Sequence, residues 1–255
     1  MGVSKMGLYG KLPAHGDFIA RDLPPSFINV WDEWLQRGML CSQEELGESW
    51  LQIYLTSPIW RFALSPGVID ENSWAGVMIP SVDRVGRYFP FTLLAKLSAD
   101  SCGLEIITSE SGWFSEIENL ALEGLDGHYD VDELYSELQM VSPLKSASHK
   151  INLQASQALP GNFSMSMDFE EQMPASLYPG LLDFLLRKEG QSYSVWHSLG
   201  SEMVKPSFLL SKGLPPARGL TALIDGNWSQ HNWFQPIESL IAVPIEQQLI
   251  PEEII

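Results

Sequence analysis

Apolar positions along the chain change period several times, and those changes mark its elements. Residues 6–12 read as a short strand, with Gly16 and Asp17 in a turn behind it. Pro24-Pro25 then precede a helix expected from about Ser26 to Gly38, where proline suits the first turn and glycine the stop. Within it Phe27, Val30, Trp31, Trp34 and Leu35 fall at helical spacing and form one apolar face. A second helix is expected from Gln43 to Leu55, ending before Ser57-Pro58.

The period then shortens. Ile59 to Leu64, Trp74 to Ile79 and Phe89 to Leu97 are short, rich in β-branched and aromatic residues, and bounded by Pro, Gly, Asp and Asn. Ser81 to Gly86 fits a hairpin connection, which points to an antiparallel sheet. Helices are expected over Gly112 to Leu125 and Val131 to Val141, the second capped by Asp130. Ser142 to Pro160 is polar and reads as a loose connection. Phe163 to Phe169 alternates as a half-buried strand does, and Ala175 to Lys188 has helical periodicity. Strands at Tyr193–Ser198 and Ser207–Leu210 and a short helix near Leu220–Ile224 complete the pattern. Strands in one block with helices in pairs predict an α/β sandwich around a mainly antiparallel sheet, because the strict alternation of a doubly wound fold is missing. Residues 1–245 are expected to form one domain: a module at 1–141, the connection at 142–160, a C-terminal part at 161–245, and then an acidic tail at 246–255.

Composition narrows the function classes. The 255 residues are 45% hydrophobic and 11% aromatic, as in a folded globular protein. Nine tryptophans suit packing, with some available as surface anchors for a partner. Fifteen basic against 32 acidic residues leave a net charge of −17, which argues against nucleic acid and anionic membranes. Cys41 and Cys102 lack metal-ligand spacing and read as reduced thiols. No early segment has the pattern of a secretory signal, and no apolar run approaches the ~20 residues that span a bilayer. A cytoplasmic location is expected.

Candidate chemistry is sparse. Gly10-Lys11 fails the P-loop pattern, since Lys5 and Leu12 stand where Gly and Ser/Thr are needed. His15 and Asp17 could form a catalytic pair, leaving a small hydrolase or phosphate-handling enzyme as the alternative reading, but no Gly-x-Ser-x-Gly elbow accompanies them. The five histidines are scattered, so no metal and no cofactor is expected. Acidic pairs such as Glu44-Glu45 and Glu170-Glu171 read as solvated faces. The stretch Asp83-Arg-Val-Gly-Arg-Tyr-Phe-Pro90 differs, because two arginines flank a glycine at a hairpin tip in an acidic chain. Either both pair with local carboxylates, or they make a spot that grips a carboxylate or phosphate. With Lys11 and Arg21 nearby, that spot would hold four cations.

Two blocks carry a family resemblance. Tyr9-Gly-Lys-Leu-Pro13, Gly16-Asp-Phe18, Arg21, Leu23-Pro24, Phe27, Trp31-Asp32, Trp34-Leu35 and Gly38 form the first. Pro80-Ser81, Asp83-Arg84 and Gly86-Arg87-Tyr88-Phe89-Pro90 form the second, with weaker points at Trp196, Gly200-Ser201 and Gly213-Leu-Pro215. This pattern resembles the TagF family (also called ImpM), accessory proteins of the bacterial type VI secretion system; Ala14-His15 and Cys41-Ser42 fall at variable places. The resemblance implies a longin-like α/β/α sandwich without known catalytic residues. It also implies a cytoplasmic post-translational regulator, usually a repressor, tied to a threonine-phosphorylation circuit of kinase, phosphatase and forkhead-associated scaffold. Some relatives are fused to the phosphatase; no such domain follows here, so action by binding alone is expected. The expected partner surface comprises Lys11, Asp17, Arg21, Arg84, Arg87 and Trp196, and the expected partner is a secretion-system component such as the scaffold.

Overall fold

A seven-stranded antiparallel sheet organises the chain in a computed structural model, which describes residues 5–144 and 177–234. Its strands are β1 (Met6–Gly10), β2 (Ile19–Arg21), β3 (Trp60–Leu64), β4 (Ser73–Ile79), β5 (Phe91–Leu97), β6 (Tyr193–Ser198) and β7 (Ser207–Lys212). They lie in the order β2-β1-β5-β4-β3-β6-β7, so the C-terminal pair extends the sheet begun by the first five. The helices are α1 (Pro25–Leu46), α2 (Trp50–Leu55), α3 (Gly103–Ser109), α4 (Ser111–Leu125), α5 (Val131–Met140), α6 (Tyr178–Lys188) and α7 (Ala217–Asp225). They cover both faces, giving the expected α/β/α sandwich.

One face packs beneath α1, α2 and α7 and is built from aromatic rings. Phe27, Trp31 and Trp34 of α1 meet Phe62, Trp74 and Trp196 of the sheet, with Trp31 stacked on Trp196 at 6.2 Å. Each buried indole needs a hydrogen-bond acceptor, and several find one close by. Trp31 donates to Thr92 Oγ1 at 3.1 Å, Trp34 to the Pro215 carbonyl at 2.7 Å, and Trp60 to the Leu223 carbonyl at 2.9 Å. The opposite face packs beneath α3 to α6, around Leu8, Leu93, Phe114, Ile117, Leu134 and Val195. There the Arg61 guanidinium forks onto both carboxylate oxygens of Glu118 at 2.7 Å, a planar two-bond match that pins α4 to β3.

Gly38 does not stop α1, which continues to Leu46 and ends at Gly47, with φ +53°. A side chain on Gly38 would meet Leu220 Cδ1 at 2.8 Å. Close approach of α1 and α7 is therefore why glycine stands mid-helix, despite its intrinsic cost there of about 1 kcal/mol. The helix expected over 43–55 divides accordingly: its first residues finish α1, a 3₁₀ turn spans Gly47–Ser49, and α2 follows. Val30, expected on the apolar face, is exposed. β2 and α3 were not foreseen. Asp130 does cap α5, accepting from the Asp132 and Glu133 amides at 2.9 Å, while Glu133 returns a bond to the Asp130 amide. Cys102 caps α3 through its sulfur, and burial pushes its thiol up to about 12. Cys41 and Cys102 are both unbridged. The strand expected at 163–169, most of the connection at 142–160, the first residues of the helix expected at 175–188, and the tail lie outside the described residues.

Candidate functional site

The two signature blocks meet at one end of the sheet. β1 ends at Gly10, whose φ of +128° and whose approach to the Pro90 carbonyl leave no room for a side chain. Lys11 and Leu12 follow inside the protein, and the His15 amide closes a turn onto the Leu12 carbonyl at 3.0 Å. Opposite, the β4–β5 connection folds into a small hairpin in which Val82 bridges Tyr88 and Gly86 takes a φ of +86° at the tip. Ser81 anchors its base. The Tyr54 hydroxyl accepts from the Ser81 amide and donates to the Ser81 carbonyl, while Ser81 Oγ donates to the Lys11 carbonyl at 2.6 Å. Burial holds the Tyr54 phenol well above its ordinary range, despite the opposing Ser81 contact.

Asp83 organises the tip. One carboxylate oxygen accepts the Val85 and Arg87 amides at 3.0 and 2.9 Å; the other accepts Lys11 Nζ at 2.9 Å and Arg87 Nε at 2.6 Å. Burial works to raise the carboxyl, but the Arg87 amide, the Lys11 ammonium, the Arg87 guanidinium and the Val85 amide outweigh it. The carboxyl is held well below the usual range. The hairpin then grips the 11–18 turn directly. Arg84 N donates to the His15 carbonyl at 3.0 Å, and Arg87 bonds the Gly16 carbonyl and stands 3.4 Å from Asp17.

Lys11, Asp17, Arg84 and Arg87 therefore belong to one joined unit, with Lys11 beneath it, but they do not form a four-cation patch. Lys11 is buried against Asp83, and its ammonium also lies 4.8 Å from the centre of the Phe18 ring. Arg87 is committed to Asp83 and Asp17. Arg21 stands apart on β2, paired at 3.4 Å with Asp132 of α5. Trp196 is wholly buried in the aromatic core, its indole bonded to Ser194 Oγ at 2.9 Å, and it cannot reach a partner. What the tip does offer is the Arg84 guanidinium, which is exposed and has no hydrogen bond or ion pair among the described residues. Beside it stand Phe18, 48% exposed and edge-on to Phe89 at 4.8 Å, and Val85, 65% exposed. A cation flanked by uncovered apolar groups has the composition of a binding anchor. Phe18 and Val85 were missed because nothing local in the sequence distinguishes an exposed aromatic in a turn from a packed one.

His15 and Asp17 are both exposed on that turn, with no hydrogen bond between their side chains. An apolar cavity of about 20 Å³ lies between α2, α7 and the sheet. A depression of about 470 Å³ lies beside α5, lined by His128, Asp130, Asp132, Glu133 and Glu137. Neither contains His15 or Asp17. Among the described residues no His, Cys, Asp and Glu side chains gather as a metal site, and no helix is long and apolar enough to cross a membrane.

Residues 7–141, more than half of the chain, match the family described as the TagF N-terminal domain, type VI secretion system-associated. The chain belongs to the TagF family. Both signature blocks of this TagF-family protein lie inside the match, which takes in β1 to β5 and α1 to α5 and stops short of α6, β6, β7 and α7. Over its wider length the chain is similar to PA0076 from Pseudomonas aeruginosa PAO1, known from a crystal structure. The two share 32% identity, with a TM-score of 0.72, over 94% of this chain and 100% of the other. Comparison with curated proteins gave no match. Association with type VI secretion is thus the functional assignment that family membership carries.

Proposed function

We propose that this TagF-family protein works by binding and not by turnover: a cytoplasmic regulator that holds a secretion-system component, the forkhead-associated scaffold, and represses secretion while doing so. The binding surface is the joined unit of the 15–18 turn and the 83–87 hairpin. The observation that carries this reading is Arg84, an exposed cation without a partner among the described residues, whose backbone is held at the hairpin tip of a −17 chain. Its backbone is fixed through His15, so little loop entropy remains to be lost on docking and only the guanidinium arm has still to be ordered.

The geometry also selects the variant. Arg87 supports the hairpin through Asp83, so changing it confounds binding with folding. Arg84→Glu removes no side-chain hydrogen bond or ion pair among the described residues and isolates the question. With purified scaffold, Arg84→Glu is expected to weaken binding by about tenfold or more, leave the unfolding midpoint within error, and raise secretion in cells. Unchanged affinity in a folded variant would show that the partner docks elsewhere.

A further inference from the structure

The two edges of the sheet are treated differently. β2 is three residues long, is followed by Asp22 with φ +49°, and is tied down by Arg21 to Asp132 and by Tyr135 to Asp22. Such an edge is closed to further pairing. β7 has six residues, pairs only with β6 among the described residues, and carries no charge before Lys212. Leu209, opposite Trp196, packs on the aromatic core. Phe208 and Leu210 lie opposite His197 and Val195, on the face otherwise covered by α3 to α6, and are 50% and 41% exposed. Among the described residues no helix covers that part of the sheet, which keeps apolar side chains at two-residue spacing.

Charge singles out the same strand. Among the described residues, every lysine and arginine side chain but three has a partner; the three are Arg84, Lys205 and Lys212. In a chain with 32 acidic residues, two lysines without partners among the described residues, one just before β7 and one at its last position, are a specific arrangement. We propose that β7 is a second docking edge, which takes an extended segment of another protein bearing carboxylates at its ends and apolar residues at alternate positions. The occupant continues the sheet through main-chain hydrogen bonds, lays its apolar side chains over Phe208 and Leu210, and sets its terminal carboxylates against Lys205 and Lys212. About six residues suffice to run along the strand at roughly 3.3 Å per residue. A second copy of this chain is the wrong chemistry, since antiparallel pairing of β7 with itself would bring lysine ends together.

Two blocked synthetic peptides test the proposal on the full chain: Asp-Ser-Val-Thr-Val-Thr-Asp and its counterpart with lysine at both ends. The acid-ended peptide is expected to bind at least about tenfold more tightly at low salt, with amide shifts confined to β7 and its flanks. Lys205→Glu combined with Lys212→Glu should reverse that preference without loss of fold, Phe208→Ser combined with Leu210→Ser should abolish both interactions, and Arg84→Glu should leave both unchanged. Equal binding of the two peptides, or no binding, overturns the proposal. So does slow hydrogen exchange at the outward amides of β7 in the free protein, which means that the edge is already occupied. Concentration-dependent protection would identify a second copy, and concentration-independent protection a segment of the same chain.

Discussion

Trp196→Ala is expected to lower the unfolding free energy by about 3–5 kcal/mol, the range for emptying a fully buried aromatic site. The ring is wholly inaccessible and faces Trp31 at 6.2 Å, Trp34 at 5.5 Å and Phe62 at 5.4 Å. No side chain nearby can refill the space, because these neighbours are themselves held by hydrogen bonds or by the sheet. For a domain of this size the loss corresponds to a Tm fall on the order of 10 °C. Trp196→Phe keeps an aromatic ring in the stack but gives up the bond to Ser194 Oγ and part of the ring volume, so it should cost less than the alanine change, roughly 1–2 kcal/mol. Urea unfolding followed by near-UV circular dichroism measures both. A Trp196→Ala protein of unaltered stability with weakened partner binding would return this residue to the surface and contradict the packing of α1 on the sheet.

Trp196 also shows where the sequence stops being informative. Its strand was legible from aromatic and β-branched content, and so were β3, β4 and β5. Alternation says that residues 193, 195 and 197 share one face and 194 and 196 the other; it does not say which face lies under helices. Among the described residues both do from β1 as far as β6, and cover on one face is missing at β7. Gly38 misled for a related reason. A glycine after a run of helical apolar positions looks like a stop, and only α7, some 180 residues later in the chain, explains it as a contact point. β2 is too short to carry a period, and α3 opens on Cys-Gly instead of a familiar cap. The candidate site was readable as two blocks with unusual charge, since turn chemistry is local. Their union was not. It depends on Asp83 reaching Lys11 across 72 positions and on Arg84 meeting His15, and no local rule contains either contact.

That union makes Asp83 the residue whose replacement should most damage the site. Asp83→Asn keeps the shape but removes the charge from a carboxylate that serves four donors at once. The Lys11 ammonium would then be buried with no counter-charge, the situation in which breaking an ion pair is most costly. Lys11→Met should be the milder change. It removes the buried cation instead of leaving it without a counter-charge, while Asp83 retains Arg87 and two amides. Hydrogen exchange at the Val85 and Arg87 amides should accelerate by more than about tenfold in Asp83→Asn, and less in Lys11→Met. Acid should reproduce the defect in the unmodified protein. A carboxyl held below its unfolded value near 3.9 contributes stability that is complete above that value and is lost as pH falls through the folded one. The hairpin should therefore be unaffected between pH 8 and about pH 5 and loosen progressively below about pH 4, with Arg84 losing its fixed position as it does so. Asp83→Asn should already be loose at neutral pH and should show a shallower decline in acid. If its exchange and acid profile instead coincide with those of the parent protein, Asp83 does not hold the two blocks together.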